Sequence, residues 1–347
     1  DNRPGTVYQL QETTYALYAQ YNEQGLLWGK NITGNLGVRG FTTRQLSEGE
    51  LNIANQINLL SRSVTYSDIL PSLNIALELS NKWQLRIAAN RNITRPDVNQ
   101  LRATADINVA DLSIKLGNPD LTHSSADSID LSLTYYGTTK HAALSLFHKT
   151  LSDYIVERSF NTAYINTGLP LAFLDEDIRR TLNSEFTVVQ PINGGKSYVQ
   201  GLELTFNTIL PSPFEHFKID TTVSLTNGQT TVFKNNQALT ISLPGLSKLA
   251  FSSSFSYEKD DWGIRVSAAY RDKYVTKTGQ AQNRIEGFKD SLFVDMNAFY
   301  KINNQLEAVL EATNLTDEVL RQFQDHRTLV NVHSGTQFTL GVNYTFN

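Results

Sequence analysis

The sequence predicts an all-β fold, an antiparallel sheet closed as a transmembrane β-barrel of the outer-membrane kind. Three observations lead there. Apolar and polar residues alternate with period two through segment after segment of about ten residues, which marks strands whose two faces meet different surroundings. The connections between these segments alternate short and long. Charge is absent from one face of the cleaner segments and present on the other.

In chain order, Tyr15, Leu17, Ala19 and Tyr21 alternate with Ala16, Tyr18 and Gln20. After a less regular stretch near 32–44, Leu73, Ile75, Leu77 and Leu79 alternate with Asn74, Ala76 and Glu78. Trp83, Leu85, Ile87 and Ala89 face away from Gln84, Arg86, Ala88 and Asn90, and Ile129, Leu131, Leu133 and Tyr135 away from Asp130, Ser132, Thr134 and Tyr136. The segment near 141–158 is again less regular. Leu202, Leu204 and Phe206 then oppose Glu203, Thr205 and Asn207, and Phe217, Ile219, Val223 and Leu225 oppose Lys218, Asp220, Thr222 and Ser224. Leu249, Phe251, Phe255 and Tyr257 alternate with Ala250, Ser252, Ser254 and Ser256; Trp262, Ile264, Val266, Ala268 and Tyr270 oppose Arg265, Ser267, Ala269 and Arg271. Leu292, Val294, Met296 and Ala298 oppose Phe293, Asp295 and Asn297, and Leu306, Ala308 and Leu310 oppose Glu307 and Glu311. The chain closes on TQFTLGVNYTFN, where Phe338, Leu340, Val342, Tyr344 and Phe346 take every second place. About thirteen strands result, with almost no helix, as a barrel requires.

Alternation alone fits a soluble sandwich, dry inside and wet outside, as well as a barrel. The connections separate the two. Short ones near 80, 137, 210, 258 and 302, and a looser one near 21–31, alternate with long ones near 43–70, 92–126, 158–197, 226–246, 274–290 and 315–334. All long loops therefore gather at one end of the sheet, the arrangement of short periplasmic turns and long external loops. Trp83, Tyr135, Tyr257, Trp262 and Tyr300 sit beside short turns on the apolar faces, where an interfacial girdle lies. A charge on the lipid face costs about 2–4 kcal/mol at the bilayer midplane, so its absence there has a cause.

Composition excludes several classes. The 347 residues are 40% hydrophobic and 18% charged, enough for a large folded body. With 30 Lys and Arg against 34 Asp and Glu, there is no basic field to displace counterions from phosphates, so nucleic acid is not an expected partner. The chain has no cysteine, which rules out disulfides, thiolate metal sites and cysteine nucleophiles. It contains no apolar run long enough for a membrane helix, a test to which barrel strands are blind. It opens DNRPGTVYQL without Met and without a signal peptide, and its natural start is expected upstream.

Six stretches in order resemble the barrel of TonB-dependent outer-membrane receptors: ALYAQYNEQ…GNLGVRGFTT, DILPSLNIALELSNKWQLRIAANRNITRPDVNQL, LGNPDLTHSSADSIDLSLTYYG, YVQGLELTFN, LEAVLEATNLTDE and TQFTLGVNYTFN. RPDVNQL, GNPDL and ATNLTDE together carry the resemblance. It departs from the family at Thr122, His123 and Ser124, where a basic residue, Pro and Glu usually follow GNPDL, and at Asn347, which follows the aromatic Phe346 on which the family usually ends. The resemblance implies a 22-stranded barrel around an N-terminal plug, with a short box that pairs with TonB. Residues 1–347 are then the C-terminal portion of that barrel, lacking the plug, the box and about nine early strands. It further implies a Gram-negative outer membrane, lipid around the wall, and a last strand read by the barrel assembly machinery through Phe338, Leu340, Val342, Tyr344 and Phe346.

No catalytic constellation is present, and no enzyme activity, cofactor or metal is expected. Asp175, Glu176 and Asp177 in FLDEDIRRTL read as a short solvated helix partnered by Arg179 and Arg180 rather than a calcium loop. His326 and His333 lack the spacing of a metal pair and read as exposed loop residues. What remains is a ligand-binding vestibule at the external ends of strands. Arg91, Arg95, Tyr154, Arg158, Arg271 and Tyr274 are its candidates, with pairing of the arginines to neighbouring acids an equal reading. Mixed Tyr, Asn and Arg suit an oligosaccharide or an anionic chelate alike. The expected function is energy-coupled import of a scarce bulky solute: a ferric siderophore, a cobalamin-like compound or an oligosaccharide. The rivals are a plug-free passive porin and a soluble β-sandwich or propeller adhesin.

Overall fold

A computed structural model describes residues 8–53, 56–169, 183–234, 237–278 and 285–346. The alternating segments become thirteen wall strands: β1 (Tyr8–Leu27), β2 (Lys30–Ile53), β3 (Gln56–Ser80), β4 (Trp83–Thr94), β5 (Ser124–Tyr136), β6 (Lys140–Ser152) and β7 (Ser197–Ile209). They continue as β8 (Phe217–Lys234), β9 (Leu249–Lys259), β10 (Trp262–Arg271), β11 (Ser291–Lys301), β12 (Leu306–Thr313) and β13 (Gln337–Tyr344). Each pairs antiparallel with the next, from β1 through β13, in one unbroken meander. Among the described residues β1 pairs only with β2 and β13 only with β12, so both outer edges carry unpaired backbone groups.

Register turns the sequence pattern into two surfaces. Ile75, Ile87, Leu131, Leu146, Leu202 and Leu225 stand abreast across β3 to β8, and Phe255, Val266, Met296, Ala312 and Phe338 across β9 to β13. One residue away, on the opposite face, runs the row Arg86, Ser132, Ser145, Glu203 and Ser224. Among the described residues most of the apolar surface is uncovered: Leu17 is 86% exposed, Leu340 78% and Ile129 62%. An apolar face of this extent requires an apolar medium, since an exposed patch on a soluble monomer is far smaller. Among the hydroxyls that fall on it, Thr221 and Ser253 hydrogen-bond each other at 2.9 Å, as polar groups in lipid must. The charged face bonds within itself. Asn207 Nδ2 donates to Asp220 Oδ1 at 2.7 Å, and Lys218 Nζ lies 3.0 Å from Asp220 Oδ2. Close strand packing is helped on that face by glycine: Gly201 and Gly263 pair with Phe147 and Phe299, whose rings fill the space a Cβ would take.

Along the meander six short turns alternate with one long hairpin, β2–β3, and five long connections. The β1–β2 turn puts Trp28 and Gly29 at φ 51° and 71°, the left-handed pair that a two-residue hairpin requires. At this end the aromatics meet across strands, Trp83 with Tyr135 at 5.0 Å and Tyr257 with Trp262 at 4.8 Å, with Tyr300 abreast of Trp262.

The other end differs from the expectation of plain loops. The stretch 43–70 is a hairpin: β2 and β3 stay in register up to the pair Ile53 and Gln56. Their alternation is blurred because this part stands beyond the apolar band, where neither face needs to be greasy. The stretch 92–126 contains a small hairpin, Ala105–Asn108 with Ser113–Leu116. Ile155–Ala163 and Glu185–Asn193 form another, whose Thr187–Val189 runs parallel to Ser113–Lys115. These pieces bury a satellite core of Ile114, Tyr164, Phe186 and Val188. Tyr274–Thr278, Ile285–Phe288, Val319–Gln324 and Arg327–His333 make a separate four-stranded sheet. Among the described residues the only helical turn is Tyr164–Asn166; the short helix expected at 173–182 lies outside the described residues.

Candidate ligand-binding vestibule

The long-loop end of the polar face carries the candidate site. On β2 and β3 the inward residues Phe41, Thr43, Gln45, Ser47 and Tyr66 are buried, not by a core but by the connection 95–123 folded across them. Ser47 Oγ donates to the Leu101 carbonyl at 2.7 Å and Gln45 Nε2 to the Pro119 carbonyl at 3.3 Å, which fastens the connection to the wall. Leu101, 1% exposed, is its apolar anchor. At the end of this strap His123 packs on Tyr66 (4.9 Å) and Phe41 (5.6 Å), its Nε2 3.2 Å from Asp68 Oδ2. The hydroxyl of Tyr66 and Nδ1 of His123 are buried there with no hydrogen-bond partner among the described residues.

The six candidate residues do not converge on one point. Arg95 faces inward beside this cluster. Its guanidinium lies 6.0 Å from the Phe41 ring centroid, donates to Thr14 Oγ1 at 3.4 Å and sits 3.9 Å from Glu12. Arg91 has the parity of Ile87 and Ala89, so it emerges at the top of the apolar face. There it donates twice to Asp127, at 2.7 and 2.8 Å, and reaches Asp68 at 3.5 Å. Tyr154 stands near Arg95 across a half-enclosed cleft of about 220 Å³, and burial pushes its hydroxyl pKa up. Arg158 belongs to the loop hairpin, where Nη2 donates to Gln190 Oε1 at 3.2 Å and the guanidinium covers the Phe160 ring. Arg271 holds a different loop. Its Nε donates to Ser247 Oγ at 2.8 Å, its Nη2 to the Gly245 carbonyl at 2.6 Å, and it lies 3.6 Å over Tyr274. Arg95 and Tyr154 are thus brought together, Arg91 lies just behind them, and the other three are built into loop supports.

The β-sheet with one lipid-like face and the loop-roofed vestibule is the context for what the chain is similar to. The family described as TonB dependent receptor-like, beta-barrel, matches residues 1–315. The chain belongs to that family. No curated protein sequence matches it. Among solved structures it is similar to the siderophore receptor PirA from Acinetobacter baumannii, at 14% identity and TM-score 0.57, over 97% of this chain and 55% of that one. It is also similar to the ferric enterobactin receptor PfeA from Pseudomonas aeruginosa (15%, TM-score 0.59, 98% and 55%). A third is the ferric-catecholate import receptor Fiu from E. coli K12 (13%, TM-score 0.64, 98% and 45%). This chain spans about half the length of these structures, and at such identity the likeness is one of fold.

Within this TonB-dependent receptor barrel the three marker motifs take definite places. In RPDVNQL, residues 97–101 form a turn in which the Gln100 amide donates to the Asp97 carbonyl at 2.9 Å. GNPDL ends in the buried Leu121 just before the His123 cluster. In ATNLTDE, Asn314 sits at φ 53° and ties the loop that follows: Nδ2 donates to the carbonyls of Glu318 (3.1 Å) and Gly335 (3.3 Å), while Oδ1 accepts from the Glu318 amide (2.8 Å). Phe338, Leu340, Val342 and Tyr344 line the apolar face of the edge strand β13, and Phe346 lies just past it against Tyr344 at 4.8 Å. His333 Nε2 lies 2.7 Å from Asp317 Oδ1, and no group of three His, Asp or Glu among the described residues could hold a metal. Asp175, Glu176 and Asp177 lie outside the described residues.

Sequence reading missed Phe41, Tyr66, Asp68 and His123. Only His123 carried a signal, its departure from the family pattern after GNPDL. The others are brought into contact by a strap whose path no local pattern encodes.

Proposed function

We propose that this chain is the C-terminal part of the barrel of an energy-coupled importer in the outer membrane of a Gram-negative bacterium. The remaining strands close onto the open edges of β1 and β13, and a central plug responds to the TonB complex. The cargo is a scarce bulky solute: a ferric siderophore, a cobalamin-like compound or an oligosaccharide. Family membership supports this reading, and so do the siderophore receptors among its structural neighbours. The observation that carries it is the pairing of an uncovered apolar face with a charged face whose long-loop end forms a strapped, polar vestibule. The chain's chemistry is that of recognition: hydrogen-bonding and aromatic groups facing a wet bore, with lipid against the other side.

The test is accumulation of labelled ferric enterobactin, cyanocobalamin and maltohexaose in cells with and without the whole receptor, each with functional or deleted TonB. Saturable accumulation of one probe that needs both receptor and TonB is expected. Entry that rises linearly with concentration and ignores TonB would instead make the protein a passive porin.

A further inference from the structure

Resting on that importer reading, we infer that the cleft between Arg95 and Tyr154 is a recognition site for an uncharged, polyhydroxylated ring such as a sugar unit, and not for a polyanionic ferric chelate. The cleft lies on the inner wall where β4, β5 and β6 end, roofed by the RPDVNQL turn. Its volume, about 220 Å³, is on the scale of one ring rather than a bulky chelate.

The turn itself leaves recognition groups unused. An aspartate opening such a turn commonly caps it with its own carboxylate. Here only the reciprocal half of such a cap is made: Gln100 Oε1 accepts the Asp97 amide at 3.0 Å, and among the described residues the Asp97 carboxylate bonds no amide of the turn. Asp97, Gln100 and Thr94 line the cleft, and the Asp97 carboxylate, Gln100 Nε2 and the Thr94 hydroxyl have no hydrogen-bond partner among the described residues. A strong acceptor, an amide donor and a hydroxyl that can do either are what adjacent ring hydroxyls require, and the Tyr154 ring among the lining residues offers an apolar surface on which the C–H side of a sugar packs.

Charge argues against an anion. Of the charged lining groups, Arg95 and Asp97 offset each other, and Arg95 also leans on Glu12. The neighbouring Arg91 is held by two carboxylates, Asp127 and Asp68. A polyanion would therefore meet the Asp97 carboxylate and a single lining arginine, Arg95, whose charge is already shared with Glu12 3.9 Å away.

The experiment uses the whole receptor, plug included, in detergent. It is exposed to an array of neutral and acidic glycans and, separately, titrated with ferric enterobactin, as wild type and as the Asp97→Asn and Thr94→Val/Gln100→Ala variants. Expected is binding to at least one neutral glycan, weakened tenfold or more in both variants, whose heat-modifiable migration on gels stays that of wild type. No neutral glycan bound, or a neutral glycan bound equally by the variants, overturns the inference. If ferric enterobactin alone binds and is taken up with TonB, this site assignment fails while the importer reading stands. Binding without any TonB-dependent uptake would fail the importer reading instead.

Discussion

Asn314 shows how much a single residue can hold. Its backbone is in the left-handed region, which asparagine tolerates far better than alanine, and its side chain and amide tie together Asp295, Glu318, Ser334 and Gly335. The residue is 4% exposed, so a lost partner leaves buried polar groups unsatisfied at about 1–3 kcal/mol each. Asn314→Ala is expected to destabilise the 315–336 loop by about 2–4 kcal/mol, and Asn314→Gly by less, since glycine keeps the φ and loses only the bonds. Hydrogen exchange at the Glu318 amide measures both. Equal protection in wild type and Asn314→Ala would mean the loop is held elsewhere. The motif ATNLTDE was legible in the sequence as a marker, but not its purpose, because the groups Asn314 binds are up to 22 residues away.

At the scale of elements, the external loops own a core separate from the wall. Tyr164 and Phe186 are fully buried and meet edge to face at 5.6 Å beside Ile114 and Val188. Burial pushes the Tyr164 hydroxyl up to about 12 from 10.0. The unfolded segment therefore releases its proton first as pH rises, so the stabilisation is complete below pH 10 and is lost between pH 10 and about 12. The loss is about 3 kcal/mol at most. Proteolysis of the 155–193 hairpin is expected to accelerate through that window, and Tyr164→Phe is expected to remove the acceleration. The wall strands were readable because lipid on one side and water on the other force a strict period of two, as in Leu202–Glu203–Leu204. Loop strands such as Ile155–Ala163 escaped because both their faces meet protein or water, and the parallel contact of Thr187–Val189 with Ser113–Lys115 joins segments more than 70 residues apart. The candidate site was half legible for the same reason. An arginine's parity can be counted within a strand, as at Arg91, but not past its end, as at Arg95, and its partners cannot be counted at all: Arg271 bonds Ser247 and Gly245, and Arg158 bonds Gln190.

At the scale of the whole molecule, inside and outside are assigned by parity alone, and a charge placed on each face tests that assignment. Val266 stands abreast of Phe255 and Met296, four residues above Trp262 in the aromatic row. For a tilted strand rising ~3.3 Å per residue, this places it about 10 Å into an apolar band ~25 Å tall, near the midplane. Ser252 faces the other way, abreast of Thr222 and Ala269, and is exposed. In the complete receptor, Val266→Arg is expected to lower unfolding stability in liposomes by about 2–4 kcal/mol, because the guanidinium must thin the bilayer or snorkel along the strand toward the Trp262 row. Ser252→Arg, which extends into a water-filled bore, is expected to change it by less than about 1 kcal/mol. Urea titration of the refolded barrel, read by its heat-dependent migration, gives both numbers. If the two costs came out equal or reversed, the apolar rows would be packing against protein or water, and the vestibule would lie on the wrong side of the wall.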